Sequence, residues 1–133
     1  MALKTDNKIY LSWDDVEKSV NDLCNKIRFD QPNIDSVHGI ARGGLIPAVL
    51  LSHKLNLPYT NVILPNTLVV DDICDSGVTM KDYAPQFITA TLCMRYVSET
   101  IPEYYGEKIE DDRWVVFPWE RIDSKTKQDY LDN

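Results

Sequence analysis

A group of acidic, hydroxyl and glycine residues follows an apolar segment near the middle of the chain. Asp71 and Asp72 end the run TLVVDD, and Asp75 begins the turn DSGVT. Carboxylates of this kind accept hydrogen bonds from sugar hydroxyls or hold Mg²⁺. The backbone N–H groups of a turn before a helix can converge on a phosphate, and Gly77 permits the backbone angle that such a turn needs. The sequence therefore indicates a site for a phosphorylated sugar; an ordinary helix-capping turn with solvated aspartates is the alternative interpretation.

These side chains need regular elements to position them, and the surrounding pattern supplies strands and helices. The segment TLVVDD shows no polar alternation, which is typical of a strand covered on both faces in a parallel sheet. Further strands are predicted at 34–41, 58–64, 86–96 and 113–119, and helices at 10–29, at 45–56 and, in a short form, from Thr79. Because strands alternate with helices, we expect an α/β fold with a mainly parallel sheet. Ligands of such sheets bind beyond the carboxyl ends of the strands, where Asp71 and Asp72 are expected.

The first predicted helix has clear sequence signals at its start. Ser12 can cap it, and the acidic residues Asp14 and Asp15 suit the positive end of the helix dipole. Apolar residues recur at spacings of three and four along it: Trp13, Val16, Val20, Leu23 and Ile27. The pattern predicts an amphipathic helix that packs on the sheet.

Composition limits the classes of protein to which the chain can belong. The 133 residues fit one domain, expected at 1–122, with a polar C-terminal tail at 123–133. A formal net charge of -7 argues against nucleic acid as a partner. The sequence shows no membrane span and no signal peptide, and its three cysteines form no CxxC pair. We therefore expect a cytoplasmic protein with reduced thiols and no membrane partner.

Four segments of the chain resemble one enzyme family. The run VVDDICDSGVT resembles the ribose-phosphate signature of the type I phosphoribosyltransferases. The segments IYLSWDDVEKSVNDLCNKI, GIARGGLIPAVLLSHKLNLPY and RWVVFPWE are similar, in the same order, to the bacterial xanthine-guanine phosphoribosyltransferases. The resemblance reaches to about residue 120. It implies the type I fold, a mainly parallel sheet flanked by helices, with a small base-binding region from the C-terminal part.

The resemblance also implies roles for residues around the aspartates. Asp71 and Asp72 would contact the ribose hydroxyls and the Mg²⁺ of phosphoribosyl pyrophosphate (PRPP), and Asp75 would be the catalytic acid or base. The implied 5′-phosphate cradle consists of Asp75, Ser76, Gly77, Val78 and Thr79. The implied pyrophosphate loop, in which the family often has a strained peptide, consists of Ala41, Arg42 and Gly43. An arginine beside glycines suits a polyanion, although a plain strand-to-helix turn explains the same residues.

Three further residues are implied to bind the base. Trp114 would stack on the purine ring, and Val115 would present backbone groups to its edge. Arg95 occupies the position at which the relatives have a lysine that donates to the purine 6-oxo group. The guanidinium of arginine is larger than the lysine ammonium and can also donate. The alternatives are that Trp114 is a core aromatic and that Arg95 is a surface cation. His38 and His53 have no paired ligand spacing and are expected to be structural.

The implied reaction is transfer of a phosphoribosyl group from PRPP to a purine base, with a 6-oxopurine favoured. It would require Mg²⁺, release pyrophosphate and form a nucleoside monophosphate, as in purine salvage. Relatives are dimers or tetramers, so the resemblance also implies a homo-oligomer. A non-catalytic PRPP or nucleotide-binding regulator is the alternative. An RNA-binding regulator fits the acidic charge poorly, and a signalling receiver domain would need its acidic pair near the N-terminus.

One departure from the family affects catalysis. Relatives carry a long mobile segment before the strand of the acidic pair, and it closes over the reacting sugar. Here only Pro65 and Asn66 separate the predicted strand at 58–64 from TLVVDD. A chain without this cover could react slowly, lose substrate to water, use a neighbouring subunit as cover, or bind without catalysis.

Overall fold

The structure, a computed structural model, describes residues 3–5 and 7–120 and contains two sheets and three helices within them. The strands are β1 (Leu3–Thr5), β2 (Lys8–Tyr10), β3 (Ser36–Gly39), β4 (Thr67–Cys74), β5 (Thr89–Arg95), β6 (Tyr104–Ile109) and β7 (Trp114–Val116). The helices are α1 (Trp13–Asp30), α2 (Leu45–Leu55) and α3 (Val78–Lys81). The predicted tail, 123–133, and residues 121–122 before it lie outside the described residues.

The larger sheet has the order β3-β4-β5-β6, and all of its neighbouring strands are parallel. Helices α1 and α2 pack against it. The first four residues of β4 and all of β5 are buried, as expected for strands covered on both faces. The expected α/β fold with a parallel sheet is therefore confirmed, and the carboxyl ends of β3, β4 and β5 meet at one edge.

The smaller sheet brings the two ends of the described chain together. It has the order β1-β2-β7, with β1 antiparallel to β2 and β2 parallel to β7. Strand β7 is an edge strand, so one side of its backbone is not paired with another strand of that sheet. The segment around Trp114 is thereby held next to the larger sheet by residues from the start of the chain.

Helix α1 begins where its sequence signals predict. The Ser12 hydroxyl accepts a hydrogen bond from the Asp15 amide, and the Asp15 carboxylate accepts one from the Ser12 amide, forming a capping box. The predicted apolar stripe is buried at Val16, Val20 and Leu23, whereas Trp13 at the first turn is largely exposed. The prediction of an amphipathic helix is confirmed.

Several predicted elements need correction. The strand predicted at 58–64 is wrong: that segment makes only an isolated bridge between Tyr59 and Val37. Strand β4 continues beyond Asp72 to Cys74. Strands β1, β2 and β6 were not predicted, because they are short or, in the case of YYGEKI, carry glycine and charged residues instead of an apolar run. An edge strand such as β6 buries only some of its residues, so its sequence gives a weak signal.

Two other expectations can be compared with the structure. All three cysteines are buried and free of disulfides. Within residues 3–5 and 7–120, no helix has the length and apolar character that a membrane crossing requires.

Candidate active site

The predicted site residues converge on the carboxyl edge of the larger sheet. Three loops leave this edge: residues 40–44 after β3, residues 75–77 after β4, and the segment that follows Arg95 at the end of β5. Three concave surfaces lie along these loops, and one of them shares lining residues with each of the other two. The edge thus carries a continuous series of concavities, which makes it the candidate active site.

The aspartate pair lies at the centre of this edge. An Asp71 carboxylate oxygen accepts from the Asp72 amide at 2.8 Å, and an Asp72 oxygen accepts from the Ile73 amide at 2.7 Å. Burial, followed by the charge of Asp72, raises the pKa of Asp71 from its ordinary value of 3.8 to about 8. Burial also raises the pKa of Asp72. Two partly buried carboxylates that repel one another form a site that a cation would stabilise.

The donor set of this pair fits Mg²⁺. That ion is usually held by one or two carboxylates together with substrate oxygens and water. Among the described residues no group of three or more histidines, cysteines and acids could enclose a metal by itself. Asp71 and Asp72 could therefore hold Mg²⁺ together with oxygens from water and from a bound substrate.

The turn after β4 surrounds a small concavity of about 50 Å³, lined by Asp75, Ser76, Gly77, Thr79 and residues next to them. Gly77 adopts a φ of 92°, and a Cβ there would lie 2.6 Å from the Thr100 amide nitrogen. Only glycine fits this position, because both the angle and the close packing exclude a side chain. The Val78 side chain is 58% exposed and is not part of the lining, so Val78 could contribute only backbone to a phosphate.

The loop after β3 forms the second concavity. The peptide bond between Ala41 and Arg42 is cis. A cavity of about 640 Å³ is lined by Arg42, Gly43, Leu45, Ile46, Asp72, Trp119 and Glu120. A Cβ on Gly43 would lie 2.1 Å from an Asp72 carboxylate oxygen, so this loop packs directly on the aspartate pair. The structure therefore brings the predicted pyrophosphate loop to the predicted metal ligands.

The third concavity contains the residues predicted to bind the base. It has a volume of about 280 Å³ and is lined by Asp71, Asp72, Ile73, Asp75, Arg95, Trp114, Val115, Phe117 and Glu120. The Trp114 amide donates to Asn7, and the Val116 carbonyl accepts from Leu11. Because backbone groups alternate between the two sides of a strand, those of Val115 face the open edge of β7.

Arg95 is neither a surface cation nor a freely positioned donor. Its side chain is 1% exposed, and Nε donates to an Asp75 carboxylate oxygen at 2.8 Å. Nη1 donates to the carbonyl oxygens of Asp111, at 2.9 Å, and Arg113, at 2.6 Å. The surface alternative is wrong, because this guanidinium joins the turn after β4 to the segment that leads into Trp114.

Glu120 lines two of the three cavities and was missed as a site residue. Its carboxylate accepts from the Phe117 amide at 2.8 Å, and burial raises its pKa. Its position inside the family-like run RWVVFPWE was the available signal. The segment 98–100, which packs against Gly77, was also missed and has no comparable signal in the sequence.

Comparisons with known proteins identify what the chain is similar to. No protein-family model matches the chain. A xanthine-guanine phosphoribosyltransferase from Chromohalobacter salexigens is 24% identical over 135 residues, covering 83% of this chain and 82% of its own length. Since 83% of this chain cannot fill 135 aligned positions, the chain lacks positions that this relative has.

Two solved structures extend the similarity to the fold. The purine phosphoribosyltransferase from Pyrococcus horikoshii has a TM-score of 0.74 and 29% identity, covering 92% of this chain and all of its own. A hypothetical protein from Neisseria gonorrhoeae, solved with bound ppGpp, has a TM-score of 0.72 and 25% identity, covering 91% of this chain and 93% of its own. The chain therefore has the fold of the type I phosphoribosyltransferases and is similar in sequence to the bacterial xanthine-guanine enzymes.

Proposed function

We propose that the protein transfers the phosphoribosyl group of PRPP to a 6-oxopurine and releases pyrophosphate. The observation that carries this proposal is the continuity of the three concavities. Asp75 lines both the small turn and the base cavity, and Asp72 and Glu120 line both the base cavity and the cavity at Arg42. A substrate with a monophosphate at one end, a diol in the middle and a diphosphate at C1 matches this order.

The turn after β4 would bind the 5′-phosphate. Its backbone amides and the hydroxyls of Ser76 and Thr79 are donors, and its volume of about 50 Å³ suits one phosphate group. Asp71 and Asp72 would accept from the ribose hydroxyls. The conformation at Gly77 lets the main chain bend tightly enough to form the turn.

The leaving group would occupy the larger cavity, where Arg42 is the basic residue among the described lining residues. Bound with PRPP at Asp71 and Asp72, Mg²⁺ would neutralise part of the charge that develops on pyrophosphate. Arg42 would add a fixed cation that contacts phosphate oxygens in a forked geometry. The acidic chain thus captures its anion by local groups rather than by its overall field.

The base would stack on Trp114 in the cavity of about 280 Å³. Val115 backbone groups would contact one edge of the base, and the buried guanidinium of Arg95 would lie towards the 6-oxo group. The ppGpp in the similar Neisseria gonorrhoeae protein supports a guanine-type ligand, and the name of the Pyrococcus horikoshii enzyme supports a purine.

Catalysis would come mainly from positioning and from stabilisation of the departing charge. A base nitrogen attacks C1 of the ribose while the bond from C1 to pyrophosphate breaks. Asp75 lies in the base cavity and would accept the proton that the base loses. Its ion pair with Arg95 holds the carboxylate in place during this step.

A product assay tests the proposal. The full chain is incubated with Mg²⁺, PRPP and, in turn, guanine, xanthine, hypoxanthine, adenine and orotate, and nucleotides are separated by ion-exchange chromatography. We expect a monophosphate from at least one 6-oxopurine and none from orotate. If no base yields a nucleotide while calorimetry shows that PRPP binds, the chain is a binder and not a transferase.

We also expect a cytoplasmic homo-oligomer, dimer or tetramer, without a nucleic-acid partner. Light scattering on the full chain measures the mass. A monomer at micromolar concentration would contradict the expectation of self-association.

A further inference from the structure

The charged groups that line the base cavity are unequal in number. Among the described residues, this cavity of about 280 Å³ has one cation, Arg95, and four carboxylates, those of Asp71, Asp72, Asp75 and Glu120. Arg95 is paired with Asp75, because its Nε donates to an Asp75 carboxylate oxygen at 2.8 Å. Mg²⁺ bound with PRPP would offset Asp71 and Asp72. Glu120 is therefore the carboxylate of this cavity whose charge neither cation offsets.

Two hydrogen bonds to the same residue hold Glu120 in place. Its carboxylate accepts from the Phe117 amide at 2.8 Å, and its amide donates to the Phe117 carbonyl at 3.0 Å. The Phe117 ring stacks on the Trp119 ring, with the centroids 4.9 Å apart and an angle of 7° between the planes. A carboxylate has lone pairs on both oxygens, so Glu120 can keep its bond to Phe117 and still accept from a base.

The two arginines nearest to this carboxylate serve other partners. Arg95 pairs with Asp75, and Arg42 lines the neighbouring cavity, where it would contact pyrophosphate in the proposed reaction. Within residues 3–5 and 7–120, the structure shows no ion pair for Glu120. A negative charge on a bound base would therefore meet the charge of Glu120 uncompensated. Because both would share one small cavity, salt would screen their repulsion little.

We infer that the protein selects the uncharged 6-oxopurines guanine and hypoxanthine over xanthine, and that Glu120 determines this preference. The inference rests on the proposed function, because it concerns the base of that reaction. Xanthine loses a ring proton near neutral pH, whereas guanine and hypoxanthine stay uncharged, and like charges in a partly buried site repel one another. An ionised carboxylate is also only an acceptor, so Glu120 can bind the 2-amino group of guanine but cannot donate to the 2-oxo group of xanthine.

Steady-state kinetics of the full chain test the preference. The value of kcat/KM is measured for guanine, hypoxanthine and xanthine at neutral pH, with PRPP and Mg²⁺ at saturation. We expect the value for xanthine to lie at least about tenfold below the value for guanine. A smaller difference, or a preference for xanthine, overturns the inference and leaves the proposed transfer in place.

Glu120→Gln tests the residue. The glutamine oxygen can still accept from the Phe117 amide, while the side chain loses its charge and gains a donor. We expect the ratio of kcat/KM for xanthine to kcat/KM for guanine to rise by about tenfold. If Glu120 only supported the fold, the substitution would lower kcat/KM for all three bases alike. An unchanged ratio would therefore overturn its role in selection.

A fourth base, 8-azaguanine, separates the charge of the base from its 2-substituent. It keeps the 2-amino and 6-oxo groups of guanine but loses a ring proton more readily, so much of it is anionic at neutral pH. We expect Glu120→Gln to raise kcat/KM for 8-azaguanine, relative to guanine, by about threefold or more. A smaller rise would show that charge does not determine the preference and would overturn the electrostatic basis of the inference.

Glu110→Gln is the matched control. It makes the same change of side chain outside the lining of the base cavity, where the carboxylate is 73% exposed and lies 3.8 Å from the Lys108 ammonium. We expect the ratio of xanthine to guanine to stay within about twofold of the wild-type ratio, because water and salt screen an exposed charge. A rise equal to that in Glu120→Gln would assign the effect to the net charge of the protein and overturn the role of Glu120.

The outcomes separate this inference from the proposed function. If no base yields a nucleotide, transfer is overturned, and calorimetry with GMP and XMP decides the inference. Weaker binding of XMP than of GMP, by a difference that Glu120→Gln reduces, supports the inference, because the xanthine ring of XMP is anionic at neutral pH. Equal binding of the two nucleotides, or a difference that the substitution leaves unchanged, overturns it.

Discussion

The two halves of the active site are built in different ways. The half proposed to bind phosphate and ribose comes from one continuous segment, residues 71–79, which contains the end of β4, a turn and the start of α3. The base half combines Arg95 from β5, Trp114 and Val115 from β7, and Glu120 beyond it. The comparison teaches that a local motif can form the turn proposed to bind phosphate, whereas the proposed base cavity depends on packing between distant elements.

The largest expected effect comes from removing the ion pair between Asp75 and Arg95, which connects the two halves. Asp75→Asn removes the charge that pairs with Arg95 and the carboxylate that would accept the proton from the base. We expect kcat to fall by about 100- to 10,000-fold while the Kd for PRPP changes little. Steady-state kinetics and calorimetry measure the two quantities. Asp82→Asn, at an exposed acid beyond the turn, is the matched control; equal losses in both variants would remove the catalytic role of Asp75.

Arg95→Lys tests the base half by itself. Lysine keeps the positive charge, but its single ammonium group cannot reproduce the guanidinium that contacts Asp75 and two carbonyl oxygens. We expect the KM for the base to rise by about tenfold or more and the KM for PRPP to change less, because the carbonyl contacts precede Trp114. Arg113→Lys, at a partly exposed arginine nearby, is the control. A larger effect on PRPP than on the base would contradict the division into halves.

Gly77→Ala tests the phosphate half. A side chain there meets the Thr100 amide and forces a backbone angle that alanine avoids. We expect the free energy of unfolding to fall by about 1 to 3 kcal/mol, with weaker binding of PRPP. Urea titration and calorimetry follow both effects. Ser76→Ala keeps the backbone and should cost less stability; the reverse order would show that the turn does not depend on its glycine.

The smallest expected effect concerns the way in which the stability of the ligand-free protein depends on pH. Burial raises the pKa of Asp71 from 3.8 to about 8, so between these values the folded state keeps a proton that the unfolded state has lost. In the wild-type protein, the contribution of Asp71 to the free energy of unfolding is therefore fully present below about pH 4, and it is lost as the pH rises towards 8. Asp71→Asn lacks this titration and should gain about 0.5 to 2 kcal/mol at pH 8, and less at pH 5.

Thermal melts at pH 5 and pH 8 measure this gain in stability. Activity assays show how much activity the substitution removes. A functional site often sacrifices stability in this way. An Asp71→Asn protein that is less stable than wild type at pH 8 would show that the aspartate makes favourable contacts in the absence of ligand.

The local structure around the candidate site was predictable from the sequence where its residues are contiguous in the chain. The turn 75–79, the loop at Arg42 and the strand before Asp71 form as expected, because glycine permits the tight turn and an apolar run favours a buried strand. Arg95 was predicted to lie near the base but not to be buried against Asp75. Its partners are residues far away along the chain, and no local pattern reports such contacts.

By itself, the amino-acid sequence determined the parallel α/β architecture, the capped first helix and the acidic turn, since periodicity, capping and glycine act over a few residues. Only the tertiary structure decided that residues 56–66 turn back beside β3, that β2 holds β7 next to the larger sheet, and that Glu120 joins two cavities. These features depend on hydrogen bonds and packing between segments that are distant in the chain. Their geometry is set by the whole fold rather than by the residues beside them.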